Sequence, residues 1–423
     1  MHPSLEYLLV CCLAASGSYL LTPLARRIAV ATGAVARPRD RDVHAVATPR
    51  LGGLALLGGL VLAVFFAHHL PTLRDAFNYD TNIDWVLISA TILCLIGVLD
   101  DKYELDSVTK LAGQVAATGL MVTKGGVQLV AVYWPWGDAG TVSLGRDIAV
   151  PVTILLTVLT INAINFIDGL DGLAAGVTAI GGAAFFIYAY HLAAVGQSRP
   201  AAAPTLLAAA LVGACLGFLP HNFFPARIFM GDSGSMLVGL ILSAAATTAT
   251  TSTDPQSFGQ LLGSLPLALP LLIPFAVLAV PFLDLLLAVL RRIGHRQSPF
   301  SPDKKHLHHR MLEIGHTHRR AVLLLYFWSA LLAFGGVAFS IMQKPWMLVA
   351  VLGGLAVVGL LMSVVPRRHR RPSVATARPQ PLAASQTGPP AATGPPGPPA
   401  TAAPPPNPGV NGSVRHGSPA RQR

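Results

Sequence analysis

Charge is scarce in this chain. Only 12% of its 423 residues are Asp, Glu, Lys or Arg, while 52% are hydrophobic. A soluble domain needs about a quarter charged residues for its surface, so a water-soluble globule is excluded. Cysteines are few, and Cys11, Cys12, Cys94 and Cys215 all fall inside apolar runs. They read as buried small hydrophobes, which excludes a disulfide framework or a cysteine-based metal site. No internal repeat is visible, which counts against a transporter built from repeated halves. The first apolar run, Leu5 to Leu21, has Glu6 at its start and Arg26 and Arg27 after it. A signal peptide carries its positive charge first, so this run is a retained helix with its N-terminus outside.

What remains is a series of apolar runs near the roughly 20 residues that cross a bilayer. They predict an all-α polytopic membrane protein with about eleven transmembrane helices, roughly 4–22, 51–70, 85–100, 108–123, 148–165, 173–192, 204–220, 235–252, 266–290, 321–342 and 347–365. With the N-terminus outside, 25 of the 30 Lys and Arg fall in alternate segments on the opposite side. The positive-inside rule makes that side cytoplasmic, C-terminus included. The net charge of +11 is therefore mostly a topology signal rather than a nucleic-acid footprint. The longest outer loop, about 124–147, has β-prone runs around Gly137–Gly140 and predicts a small hairpin. The chain divides into a membrane domain, 1–365, and a tail, 366–423. The tail holds 15 of the 34 prolines and has a disordered composition. Its basic start, Arg367 to Arg371, suits anionic headgroups or a plain stop-transfer flank.

The chain is organised around Asn162 to Leu173, where Asn162, Asn165, Asp168 and Asp171 interrupt two apolar runs. Asp168 and Asp171 share one face if helical, and carboxylates at a membrane edge are costly unless used. After the third run come adjacent Asp100 and Asp101, then Lys102, Glu104 and Asp106. Paired acids suggest a cation or a shared proton, and Mg²⁺ takes one or two carboxylates with substrate phosphates. Gly231-Asp232-Ser233-Gly234-Ser235 opens a helix and can face an anion, with a metal between Asp232 and a phosphate. A long inner loop carries Lys304, Lys305, His306, His308, His309 and Arg310, a phosphate-binding cluster or a transition-metal site. Pro49-Arg50-Leu51-Gly52-Gly53 makes a tight start to the second span. A bland reading exists for each motif alone: a polar loop, an N-cap turn, a solvated basic loop. Together they converge on one membrane face and suggest a reaction between a lipid phosphate and a soluble phosphate donor.

These motifs, in this order, resemble the polyprenyl-phosphate N-acetylhexosamine-1-phosphate transferases over roughly residues 1–365. The His306-Leu307-His308-His309-Arg310 pattern looks like the WecA/TagO-like branch rather than the related MraY branch. The chain departs from that pattern at Asp42, where many relatives carry a basic residue before the position of His44. The resemblance implies transfer of N-acetylglucosamine 1-phosphate from UDP-N-acetylglucosamine to undecaprenyl or another polyprenyl phosphate, with release of UMP. It implies Mg²⁺, with Mn²⁺ as a substitute, and an active site on the cytoplasmic face of the plasma membrane. By position, Asp232 would bind the metal with Asp100 and Asp101. Asp168 and Asp171, with Asn162 and Asn165, would position the uridine diphosphate, and Phe229 would stack on uracil. His306, His308 and His309 would hold phosphates, with Arg50 and Arg310 beside the substrate. Asp100 is the candidate base; a covalent intermediate on it stays open. The expected partners are the nucleotide sugar, the polyprenyl phosphate and the bilayer, with room for a homodimer and none for nucleic acid. The competing readings are a phospho-N-acetylmuramoyl-pentapeptide transferase, a secondary transporter and a scaffold acting through the Pro-rich tail.

Overall fold

The structure, a computed structural model, describes residues 3–36, 47–78, 82–133, 141–194, 203–251, 317–341 and 345–364. The described helices are α1 (Pro3–Thr32), α2 (Gly52–Ala67), α3 (Ile83–Tyr103), α4 (Ser107–Lys124), α5 (Arg146–Ile167), α6 (Leu173–Ala194), α7 (Ala203–Asn222), α8 (Gly231–Thr251), α9 (His318–Ile341) and α10 (Pro345–Val364). Six of them, α1, α3, α5, α6, α7 and α9, are long and apolar enough to cross a membrane. The protein is therefore an all-α polytopic membrane protein. The span expected at 266–290, the His306–Arg310 cluster and the tail lie outside the described residues.

The two short sheets are antiparallel. β1 (Val35–Ala36) pairs with β2 (Thr48–Pro49), and β3 (Ala131–Tyr133) pairs with β4 (Thr141–Ser143). The second is the hairpin expected from the alternating residues of the long loop. The first has no sequence signal, because two-residue strands carry no readable period.

Helix α8 is the centre of the bundle, packing against α2, α3, α5 and α7, while α1 packs on α2 and α7. Its residues Met236, Leu237, Val238 and Leu240 are fully buried. Close approach at its N-terminus depends on glycine. A Cβ on Gly53 would lie 2.3 Å from the Ser233 carbonyl carbon, and one on Gly97 would lie 2.4 Å from Ser233 Cα. Helices α2 and α3 therefore press directly onto the turn that carries Asp232.

The far end of the bundle has its own polar tie. Glu6 is fully buried in α1 and accepts hydrogen bonds from Thr72 N (2.9 Å), Thr72 Oγ1 (2.9 Å) and Leu73 N (3.1 Å). It satisfies the first amides of the 3-10 turn Leu73–Asn78, as a helix start requires.

Candidate active site

Three local features bring the acids together. The first is the corner between α3 and α4. Glu104 ends α3 in the left-handed region (φ 52°) with its N–H on the Asp100 carbonyl. Asp106 then caps α4, accepting from Val108 N and Thr109 N, both at 3.0 Å. The Thr109 hydroxyl also donates to Asp106, and that bond first, then the backbone ones, hold the Asp106 carboxyl below its ordinary range. The corner sets Asp100, in the last turn of α3, opposite Lys110, in the first turns of α4.

The second feature is the start of α2. Phe229 N donates to the Pro49 carbonyl (2.8 Å), Gly52 N to the Phe229 carbonyl (3.1 Å) and Gly53 N to the Met230 carbonyl (3.2 Å). The Pro-Arg-Leu-Gly-Gly motif is thus a backbone splint for the segment entering α8. Arg50 joins it to the segment between α1 and β1 through its N–H on the Ala34 carbonyl (2.9 Å). Phe229 is half-buried.

The third is the loop between α5 and α6. Asp171 is buried and accepts from Ala226 N (2.9 Å). Asn222 accepts from Gly172 N (3.1 Å) and donates to the Ile228 carbonyl (3.0 Å). Tyr326 of α9 donates to the Gly172 carbonyl. These bonds lash the Asp168–Asp171 loop to the 222–230 segment, so Asp171 acts here as a tie between loops.

At the meeting point, the Lys110 ammonium lies 2.8 Å from Asp100 Oδ2 and also bonds Asp232 Oδ1. Asn165 donates to the same Asp232 oxygen and to Ser235 Oγ (2.8 Å). Asn162 is one helical turn away and pairs with Gln114, donating to its Oε1 at 2.7 Å. Asp101 faces differently. Its oxygens accept from Asp232 N (2.9 Å), Ser233 N (3.1 Å) and Ser233 Oγ (2.8 Å). Both oxygens cap α8, so Asp101 orients Asp232 where the sequence suggested a second metal ligand beside Asp100. Asp168 sits just beyond α5. Burial pushes its carboxyl well above the ordinary range, the Asp232 and Asp101 charges add to this, and the Gly231 N–H opposes it.

Among the described residues, Asp100 and Asp232 share one ammonium, Lys110, and Asp168 lies within reach of the Asp232 and Asp101 charges. An excess of negative charge in a partly buried site calls for a further cation. The available donors are hard oxygens, the kind Mg²⁺ takes, and that ion commonly uses one or two carboxylates and fills its remaining positions from phosphates and water. Among the described residues no group of three His, Cys, Asp or Glu is placed to hold a metal ion by itself, so phosphate oxygens would have to complete the coordination. The residues present therefore fit a Mg²⁺ ion that arrives with a phosphate ligand.

Sequence reasoning brought Asp100, Asp101, Asn165, Asp168, Asp171 and Asp232 to one end of the bundle, and they meet there. It treated Lys110 as a topology charge and passed over Gln114. Their spacing of four in an otherwise small and apolar helix puts both on one face, and that was the available signal.

Acids, amide and ammonium gathered at the ends of membrane-length helices are what a membrane enzyme acting on charged substrates would need. The glycosyl transferase family 4 model matches residues 84–250, the stretch that supplies these side chains. The chain is 46% identical over 373 residues to the decaprenyl-phosphate N-acetylglucosaminephosphotransferase of Mycobacterium tuberculosis, covering 87% of this chain and 91% of that protein. It is 45% identical over 378 residues to the protein of the same name from Mycolicibacterium smegmatis, covering 88% and 91%. An undecaprenyl-phosphate alpha-N-acetylglucosaminyl 1-phosphate transferase from Haemophilus influenzae is 30% identical over 326 residues, covering 76% and 83%. The chain belongs to this family of polyprenyl-phosphate N-acetylglucosamine-1-phosphate transferases.

Proposed function

We propose that the protein transfers N-acetylglucosamine 1-phosphate from UDP-N-acetylglucosamine to a polyprenyl phosphate, releasing UMP, in the first membrane step of a cell-envelope glycan. The observation that carries this reading is the Lys110–Asp100–Asp232–Asn165 cluster at the ends of four helices. The relatives' names support the donor and the acceptor class, and the two mycobacterial ones favour decaprenyl phosphate. In the reaction an acceptor phosphate oxygen attacks the sugar-bearing phosphorus of the donor. The bond from that phosphorus to the oxygen of UMP breaks, and the product is a polyprenyl diphosphate sugar.

Such a transfer is mostly positioning and charge neutralisation. Asp232 and Asp100, with the Asn165 amide oxygen after a side-chain flip, are the residues that would hold Mg²⁺. The ion, when bound, polarises the diphosphate and neutralises charge on departing UMP. Lys110 supplies a fixed ammonium beside the same phosphates. Asp100 removes the last proton of the acceptor phosphate. Asp101 keeps Asp232 aimed, and Asn162 holds Gln114 and the α4–α5 spacing. Phe229, Arg50 and the His306, His308, His309 and Arg310 cluster complete the donor site in this reading. In this reading the site faces the cytoplasm of the plasma membrane, which the Lys and Arg distribution favours.

A secondary transporter accounts less well for the geometry, because its ionisable groups should sit near the bilayer midplane on broken helices. Here they stand at helix ends. The test is to incubate membranes containing the protein with labelled UDP-sugars and polyprenyl phosphate. A labelled lipid from UDP-N-acetylglucosamine supports the reading, and incorporation from a UDP-muramoyl-pentapeptide alone would favour the pentapeptide transferase instead.

A further inference from the structure

A positively charged cavity has none of these acids in its lining. It has a volume of 460 Å³ and is lined by Arg26 and Arg27 of α1, by His221 at the end of α7, and by Arg227 and Ile228 beyond it. That volume is in the range of small-molecule sites. Among the described residues no carboxylate pairs with Arg26, Arg27 or Arg227. The His221 Nε2 atom is buried without a hydrogen-bond partner. Three cations without a carboxylate partner among the described residues, beside a buried polar atom without a hydrogen bond, point to an anion.

The position narrows the anion. Helix α1 has 30 residues, about 45 Å of helix against roughly 30 Å of hydrocarbon. Arg26 and Arg27 stand near its C-terminal end, at headgroup depth. Below them α1 exposes Tyr19 (48%), Leu20 (71%) and Leu24 (51%), an apolar strip that continues toward the bilayer. A soluble phosphate would use the arginines and leave that strip idle. A lipid uses both.

The cavity is separate from the reaction site. Its walls come from α1, α7 and the 227–228 segment, whereas the acids come from α3, α4, α5 and the start of α8. Helix α1 packs on α2 and α7. We propose that this cavity binds the phosphate headgroup of an anionic phospholipid, with its acyl chains along the Tyr19–Leu24 strip. Through Arg227, five residues before Asp232, an occupied cavity would steady the segment that carries the catalytic turn.

Each basic residue near an anionic lipid surface is worth about fivefold in binding, so three give about a hundredfold. The experiment is native mass spectrometry on the full-length protein in detergent, titrated with phosphatidylglycerol or with phosphatidylcholine of the same chains. Wild type should prefer phosphatidylglycerol by about a hundredfold or somewhat less. Arg26→Gln, Arg27→Gln and Arg227→Gln should each lower the preference about fivefold, and the triple variant should abolish it. Arg74→Gln, at the other end of the bundle, should leave it unchanged. The single variants keep the test decisive if the triple variant misfolds. Equal binding of the two lipids by wild type, or a preference undiminished in all three single variants, would overturn the proposal. So would inorganic phosphate competing as well as the lipid, since the apolar strip would then contribute nothing. Displacement of phosphatidylglycerol by one equivalent of polyprenyl phosphate would also overturn it, by showing an acceptor site.

Discussion

The sharpest division of labour in the site is between Asp101 and Asp232, and two substitutions separate them. In Asp101→Asn, Oδ1 can still accept from Asp232 N, but an NH₂ group replaces the Oδ2 that accepts from Ser233 N and Ser233 Oγ. Two charge-assisted hydrogen bonds are lost, each worth about 1.5–3 kcal/mol. Relaxation recovers part of that, so the expected loss of stability is roughly 3 kcal/mol. Asp232→Asn removes a partner of Lys110 and Asn165 at a partly exposed position and leaves the cap of α8 in place. It should melt close to wild type, yet turn over roughly a hundredfold more slowly or worse, since lost stabilisation of the leaving group is worth several kcal/mol. The assay pairs thermal unfolding in detergent with turnover against Mg²⁺ concentration. Asp101→Asn should melt early and keep nearly the wild-type Mg²⁺ requirement per folded molecule. If Asp101→Asn melts like wild type and raises the Mg²⁺ requirement as Asp232→Asn does, Asp101 is a direct ligand and the capping argument fails.

Further outcomes follow from the same geometry. Lys110→Met should cut turnover by more than tenfold, because it leaves Asp100 and Asp232 without their shared ammonium; steady-state kinetics on purified protein checks this. Asp106→Asn should keep near-normal turnover, since Asn also caps helices. Glu6→Gln should lower the unfolding temperature through weakened bonds to Thr72 and Leu73, a loss of about 1–3 kcal/mol, with kcat unchanged in the folded fraction. For Asp168 the folded-state carboxyl is raised, so ionising it costs stability. The metal-free protein should therefore lose stability as pH rises above the ordinary carboxylate range, and Asp168→Asn should flatten that slope in melts taken across pH.

Much of the site was legible in the sequence because its chemistry is costly in its setting. Asp100, Asp168 and Asp232 stand out beside apolar runs, where a carboxylate without a use is disfavoured. The division of roles was not legible. Adjacent Asp100 and Asp101 look alike in sequence, yet successive helical side chains point about 100° apart, so one meets Lys110 and the other meets the amides of α8. Asp171 looked like a partner of Asp168, but burial turned it toward Ala226 N. Lys110 was hidden by its sign, because a lone lysine at a helix end also satisfies the positive-inside rule. Glu6 looked like an outer flank, and only the fold shows it capping a turn 66 residues away.

A sugar-phosphate transfer centred on Asp232 is tested most directly with purified protein given radiolabelled UDP-N-acetylglucosamine, decaprenyl phosphate and Mg²⁺, with lipid extraction and UMP measured together. Wild type should give equal amounts of labelled polyprenyl diphosphate sugar and UMP, none after chelation, and Asp232→Asn at most about a hundredth of the rate. Lipid product at the wild-type rate from Asp232→Asn, or UMP release without lipid product in the wild type, would contradict it.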